Sequence, residues 1–466
     1  RQHARAQGET IAFTYGHEDI SFAELDEGAN RVANGLVALG VEPGERVAFL
    51  GKNHPLYFEA FLGAARIGAV MTPVNWRLAA PEVAYILDNC QARVVFIGEG
   101  FAEVLSGIRA DCPRIEQVIG IDAPDYPGSD YRIWRDGFSA TPPTHRVRAG
   151  DDALQLYTSG TTGKPKGAVM THGSILSSRD AMAAADEMRG WQEPIPGDVT
   201  LLAMPCFHIS GTGTGIGTMV AGTNSIVLPE YDPTKALDLI DNFNISKIFL
   251  VPAAIQILLN HPRVNETDFS RLKYVTYGAS PIPLELMREA MRVIGCGFVQ
   301  MYGMTETSGT IVALDPEDHV PEGSPRMRSV GKPLAGVEIK IIDALLGKSF
   351  QAAAEVIRQV ADQTTDEWQL LLRWHFGGPE ALQCASQALQ KVVGRFVGRG
   401  RQFCHWPGAH KVIASTLGTR SSGIQQYGTG GLANALEVVA GVGAVGKRVQ
   451  RAAGHAWQSN GVKERL

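Results

Sequence analysis

The sequence has no pair of cysteines at C-x-x-C spacing: Cys90, Cys112, Cys206, Cys296, Cys384 and Cys404 are scattered. That distribution argues against a zinc site or a disulfide scaffold, and a cytoplasmic setting is expected. Long hydrophobic runs are also missing. The best candidate, residues 58–74, is interrupted by Arg66 and by glycines, so no integral membrane segment is expected. No signal peptide can be read from residues 1–10. The first residue is arginine rather than methionine, so the true N-terminus is expected to be missing. No internal repeat is visible.

What is present is ordinary in bulk and uneven in charge. A chain of 466 residues can hold several cores, and 44% hydrophobic with 20% charged residues describes a soluble globular protein. The net charge of −5 divides into about −12 for residues 1–343 and +7 for residues 344–466. Four of the seven tryptophans also fall in that last stretch, and no aspartate follows Asp366. A boundary is therefore expected near residue 343. The basic tail carries no nucleic-acid-binding motif, and no nucleic-acid partner is assigned.

Strand and helix patterns alternate through the acidic part. Ser21 and Glu24 form a capping box ahead of apolar-periodic residues 25–39, and Gly40 stops them. Segments 47–50 and 94–97 read as buried strands, with helices near 56–67 and 81–89. Further strands are expected at 153–157, 200–204, 225–228, 247–251, 274–277, 298–302 and 338–342. Helices are expected at 234–242 and 283–293, each beginning near a proline. This alternation predicts an α/β fold with largely parallel sheets in two sheet-and-helix subdomains, 1–150 and 151–343, followed by an atypical tail, 344–466.

Residues 157–167 read Tyr-Thr-Ser-Gly-Thr-Thr-Gly-Lys-Pro-Lys-Gly. Glycines let backbone N–H groups approach an anion, hydroxyls add donors, and lysine brings a mobile positive charge. The loop is a polyphosphate cradle. It is not a Walker loop, because proline follows Lys164 where serine or threonine would stand.

A second segment, Gln-Met-Tyr-Gly-Met-Thr-Glu-Thr at 300–307, joins the first. With Pro205-Cys206-Phe207-His208, Tyr277-Gly278-Ala279-Ser280-Pro281 and Ser329-Val330-Gly331-Lys332-Pro333, these motifs resemble the AMP-forming adenylation superfamily of acyl-CoA synthetases, luciferases and peptide-synthetase adenylation domains. The resemblance covers roughly residues 10–343 and is nearest to fatty-acyl-CoA ligases. It implies that ATP activates a carboxylic acid to an acyl-adenylate, which CoA then takes up, with Mg²⁺ as cofactor. It places Thr158, Ser159, Gly160, Thr161, Thr162, Gly163 and Lys166 on the phosphates. Gly278, Ala279 and Ser280 run beside adenine and acyl group, and Met301, Tyr302 and Gly303 border the adenine, with Tyr302 stacked on it. Thr305 meets the α-phosphate, and Glu306 with Thr158 holds Mg²⁺; Thr305, Glu306 and Lys166 are the catalytic candidates. The residue types suit these tasks: an aromatic face stacks on a base, a hydroxyl donates to phosphate, and carboxylate oxygen suits a hard cation.

His208 bears on the substrate. Amino-acid-activating relatives carry an aspartate there to hold the substrate ammonium, so histidine points to a fatty or aryl acid; the alternative is a structural histidine. Gly211, Gly213, Gly215 and Gly217 follow, compatible with an acyl tunnel that includes Gly211 or equally with tight packing. Two other functions stay open: an acyl-AMP ligase serving a carrier protein, and a non-catalytic ATP- or acyl-adenylate-binding module.

After Asp343 the resemblance stops. The Tyr-Arg-Thr-Gly-Asp segment that binds ribose and the mobile lid with its adenylation lysine have no counterpart, and no tail lysine lies in matching surroundings. A frame shift or a fusion to foreign sequence is the expected explanation of the abrupt change in composition, and a tail that works as a lid is the alternative.

Overall fold

The computed structural model describes residues 1–159, 164–185, 190–193, 195–340, 342–343 and 348–349. Two compact units are present: Arg1–Gly323 with Val330–Gly336, and Ser324–Ser329 with Val337–Leu466. In the second, the described residues form a 3₁₀ turn, Pro325–Arg328, and an antiparallel pair of Ile342–Asp343 with Lys348–Ser349. The rest of the expected tail lies outside the described residues.

The first unit contains two twisted sheets. The seven-stranded sheet runs from Ser129–Asp130 through Gln117–Ile121, Val94–Gly98, Arg46–Leu50, Val70–Val74 and Asp152–Thr158 to Lys166–Thr171. All its neighbours pair in parallel except the last two, which form a hairpin. The nine-stranded sheet runs from Lys332–Pro333 through Gly309–Leu314, Gly297–Met304, Tyr274–Gly278, Ile245–Leu250, Val199–Leu202, Asn224–Val227 and Ile11–Tyr15 to Glu18–Ser21. Sheet membership is interleaved along the chain. The first two strands join the sheet built mainly from residues after 199, and the 152–171 hairpin closes the sheet built from residues 46–130.

Local chemistry accounts for most helix boundaries. Ser21 Oγ accepts from the Glu24 N–H and the Glu24 carboxylate accepts from the Ser21 N–H, starting Phe22–Ala38. Pro55, Pro81 and Pro233 occupy first-turn positions of Pro55–Arg66, Ala80–Asn89 and Pro233–Asn242, where their missing N–H costs nothing. Leu284–Ile294 buries Met287, Ala290 and Ile294 and ends at Gly295 in the left-handed region.

One expectation is corrected, and one pair of alternatives is narrowed. Residues 337–340 carry no strand, and only Ile342–Asp343 at the end of the expected 338–342 strand is paired, with a local hairpin partner. An apolar alternation needs a neighbouring edge to become a strand. The glycine-rich stretch after His208 is the helix Ile209–Ala221. A Cβ on Gly211 would lie 2.3 Å from the Pro205 carbonyl oxygen, and one on Gly215 would lie 2.2 Å from Phe58. Tight packing therefore explains these two. Gly217 has nothing within 4 Å of that position, and Gly213 only Ile209 at 3.8 Å.

The core lies between the sheets. Phe13, Phe49, Leu56, Tyr57, Phe58 and Phe96 are almost fully buried, and Phe13 stacks on Phe58 with centroids 4.9 Å apart. Burying each such aromatic side chain stabilises the fold by roughly 1.5–3 kcal/mol. The Pro55–Arg66 helix thereby packs against strands of both sheets.

Candidate active site

The phosphate-loop motif sits at the tip of the 152–171 hairpin. Tyr157 pairs with Gly167 and Thr158 with Lys166 in antiparallel register, so Ser159 follows the first strand of the hairpin and Pro165 directly precedes the second. Gly160, Thr161, Thr162 and Gly163 lie outside the described residues. Ser159 and Lys166 are exposed and Thr158 is half-buried. Gly167 is dictated by packing: a Cβ there would meet Gln155 Nε2 at 2.3 Å. Gln155 accepts from Arg46 and donates to the Tyr157 hydroxyl, which donates to Asn89 Oδ1 at 2.6 Å. Behind the loop, the Tyr85 hydroxyl donates to the Pro165 carbonyl at 3.3 Å, and Lys164 lies 5.2 Å from the centre of the Tyr85 ring. These supports come from the Ala80–Asn89 helix, and no phosphate-loop pattern announces them.

The second motif closes the Gly297–Met304 strand and enters a 3₁₀ turn, Thr305–Thr307. The strand bulges between Tyr302 and Gly303, where a Cβ on Gly303 would come within 1.9 Å of the Gly309 carbonyl oxygen. Thr307 Oγ1 accepts from the Met304 N–H at 3.0 Å, and Ser308 adopts φ +59° at the turn's end. Ser308 Oγ donates to Ser174 Oγ at 3.0 Å, tying the turn to the segment that follows the hairpin.

Across this junction Thr158 Oγ1 donates to Glu306 Oε1 at 3.3 Å, although 148 residues separate them. The two motifs, read separately in the sequence, meet at the end of one sheet and the edge of the other. Tyr302 and Thr305 are half-buried and Glu306 is exposed beside them. Among the described residues no cluster of three or more histidine, cysteine or carboxylate side chains could hold a metal.

Gly278, at the end of Tyr274–Gly278, pairs with Met301, and a Cβ on it would meet the Met301 carbonyl oxygen at 2.2 Å. Ala279 follows with φ +67°, a conformation that L-residues other than glycine seldom hold. Such backbone strain gathers where a chain must present itself to a ligand, and sequence pattern alone does not reveal it. Ala279 and Ser280 are exposed. Beneath them Tyr277 OH lies 3.0 Å from His319 Nε2 and 3.2 Å from Gln300 Oε1, a buried bridge between the two strands that carry the motifs. Burial lowers the His319 pKa.

His208 is the cap residue of Ile209–Ala221 and packs its ring against Phe207 with centroids 4.5 Å apart. The residue is exposed, yet desolvation by the surrounding protein, reinforced by the Arg77 guanidinium, lowers its pKa and favours the neutral imidazole. Phe207 meets Trp76 edge-on at 6.3 Å, and Arg77 lies over the Trp76 ring at 4.8 Å. Ile209 Cγ1 comes within 3.6 Å of the Cβ position on Gly309, so this segment adjoins the strand after Glu306. Gly211 is buried against its own chain at Met204 and Pro205.

Comparison with known proteins places the chain in a family. The AMP-binding enzyme family matches residues 1–355. A fatty acid–[acyl-carrier-protein] ligase, ScoC, of Streptomyces coeruleorubidus is 38% identical over 342 residues, 73% of this chain and 64% of the relative. The long-chain-fatty-acid–CoA ligase FadD13 of Mycobacterium tuberculosis is 33% identical over 321 residues, covering 68% and 61%. The inhibitor-bound N-terminal domain of FACL13 from Mycobacterium tuberculosis superposes with a TM-score of 0.66 at 30% identity, covering 75% of this chain and 84% of that one. The chain thus matches about 64% of the length of the first of these curated relatives.

Proposed function

The chain belongs to the AMP-binding enzyme family, and from that premise we propose that its body is that of an AMP-forming carboxylic acid–CoA ligase of fatty-acyl type. The observation that carries this reading is the 3.3 Å contact of Thr158 with Glu306, where a phosphate-binding hairpin meets the turn after a strand bearing an aromatic ring. In the first step a carboxylate oxygen attacks the α-phosphorus of ATP and the bond to pyrophosphate breaks, leaving acyl-AMP. In the second, the CoA thiol loses its proton, its sulfur attacks the acyl carbon, and AMP departs.

In this reading residues 1–150 and 151–343 form the adenylating body, and 344–466 stand where relatives carry a lid. Lys166 with the hydroxyls and N–H groups of residues 158–163 binds the β- and γ-phosphates. Tyr302 stacks on adenine, Met301 and Gly303 border it, and Gly278-Ala279-Ser280 line the other side. Thr305 donates to the α-phosphate as charge builds there. A Glu306 carboxylate beside the Thr158 hydroxyl offers hard oxygen donors, which fits Mg²⁺ held mainly by phosphate oxygens; the ion would neutralise charge on the leaving pyrophosphate. His208 borders the acid, and Gly211, packed against Met204 and Pro205, serves that border by letting the turn before it close. No described helix is long and apolar enough to cross a membrane, and the substrate class supports a role in lipid metabolism, for which we propose a cytoplasmic setting.

Substrate class is the direct test. A neutral His208 offers no counter-charge to an ammonium, so a hydroxamate-trapping panel should show fatty or aryl acids activated before any free amino acid. Preference for an amino acid would overturn the reading. The likeness to ScoC favours one second reading, transfer of the acyl group to a carrier protein instead of CoA. Product analysis with each acceptor separates the two.

The phosphate assignment has its own expected result. Lys166→Ala combined with Thr162→Ala removes one charge-assisted donor and one hydroxyl. Charge-assisted bonds contribute roughly 1.5–3 kcal/mol, so MgATP binding should weaken more than about tenfold while adenosine binding holds. Calorimetry showing unchanged ATP affinity would take the loop out of the site.

A further inference from the structure

Asn53 follows the Arg46–Leu50 strand of the seven-stranded sheet and is 2% exposed. None of its side-chain partners is local. Its Nδ2 donates to the carbonyls of Met204 at 3.1 Å and Leu228 at 2.9 Å, and its Oδ1 accepts from the Cys206 N–H at 2.8 Å. Its own N–H donates to the Pro229 carbonyl at 2.9 Å. One amide thus ties the ends of two strands of the nine-stranded sheet to the other sheet, and it grips both sides of Pro205.

A second tie lies one turn further along. Tyr57 OH is 2.8 Å from Thr212 Oγ1, which donates to the Cys206 carbonyl, and Phe58 fills the space left by Gly215. The segment held between these ties contains Phe207 and His208, and the His208 N–H donates to the Pro205 carbonyl at 3.1 Å. A turn fixed at both ends cannot move its backbone, and with it the Cα–Cβ directions of Phe207 and His208, without breaking buried hydrogen bonds.

We propose that Asn53 is a positioning residue for acid selection: through Met204 and Cys206 it sets where Phe207 and His208 stand against the acyl group. The proposal rests on the reading of His208 as a neighbour of the acid. Asn53 touches neither nucleotide nor acid itself. Its effect should therefore appear in the acyl part of binding and leave the nucleotide part alone, which a general loss of folding would not do.

The test is calorimetry on the full chain with two probes, adenosine 5′-sulfamate and its N-decanoyl derivative, a stable mimic of an acyl-adenylate. The ratio of their dissociation constants is the acyl increment. Asn53→Ala should reduce that increment by about fivefold or more, with sulfamate affinity within about twofold of the parent, since leaving buried partners unpaired is the larger perturbation. Tyr57→Phe, which keeps the ring and loses one bond, should reduce the increment in the same direction by about twofold, and it decides the matter if Asn53→Ala does not fold. An unchanged increment, or parallel weakening of both probes, would overturn the positioning role. A parent chain that binds the sulfamate with no acyl increment would overturn the acyl-site reading itself, a result separable from either variant.

Discussion

Given ATP, CoA and a medium-chain fatty acid, the chain should form acyl-CoA about 10²–10³-fold more slowly than a chimera in which a lid from a fatty-acyl ligase replaces residues 344–466. In the family this sequence resembles, the lid presents a lysine to the developing charge during adenylation and then turns another face to complete the CoA site. Both tasks need a domain that rearranges about a hinge. The tail after Asp343 has neither the ribose-binding Tyr-Arg-Thr-Gly-Asp segment nor a lysine in matching surroundings, and the family match ends at residue 355. A fixed charge aimed at a transition state is typically worth that factor in rate, because the site is organised before the reaction begins. With a chimera joined so that the ribose-binding segment stays absent, nucleotide binding should differ little between the two, since the phosphate hairpin, the Thr158–Glu306 junction and the Gly278–Met301 pairing all lie in the first unit. Thioester formation followed by chromatography, beside calorimetry with MgATP, reads both quantities. Equal rates for chain and chimera would show that the tail performs the lid's work.

How much of this could be read beforehand follows from the range of the interactions. The Ser21–Glu24 box, the first-turn prolines and Gly295 act within a few residues, and the expected helices match Phe22–Ala38, Pro233–Asn242 and Leu284–Ile294 closely. The strands Ile11–Tyr15 and Glu18–Ser21, the last two of the nine-stranded sheet, were not expected, because Phe13 finds its partner at Ser225, more than two hundred residues away. The Ile209–Ala221 helix was hidden by four glycines, each costing a helix up to about 1 kcal/mol relative to alanine; contact of Gly215 with Phe58 offsets this only in the folded protein. In the site, the hydroxyl, glycine and lysine pattern announces an anion loop by composition. The roles of Tyr85 and Asn53 do not show, because each acts on backbone carbonyls contributed by distant segments. The strained Ala279 is equally silent, since alanine carries no signal for φ +67°.

Replacing Arg135 with alanine should destabilise the body by about 3–5 kcal/mol near neutral pH, the cost expected when one partner of a buried pair is removed. Glu59, 2% exposed in the Pro55–Arg66 helix, is held by Arg135 at 3.0 Å and by the Tyr131 hydroxyl at 2.9 Å. Both partners belong to the Tyr131–Asp136 helix, and Gly28 of Phe22–Ala38 leaves room for the carboxylate, since a Cβ there would fall 2.1 Å from Glu59 Oε2. Three helices therefore converge on one buried charge. Burial raises the Glu59 pKa even though Arg135 opposes the shift. A carboxyl whose folded pKa lies above its unfolded value binds more protons folded than unfolded, so its contribution to stability falls as pH rises through that window. Without Arg135 the folded pKa climbs further and the window widens upward. The variant should accordingly lose more stability at pH 8 than at pH 5, and Glu59→Gln in the same background should restore much of it by removing the charge while keeping a partner for Tyr131. Urea unfolding of the four proteins of this cycle at both pH values measures the coupling. A loss that is independent of pH and unrelieved by Glu59→Gln would mean that Arg135 acts only through packing of its side chain against Tyr131, whose ring centre lies 6.0 Å from the guanidinium carbon.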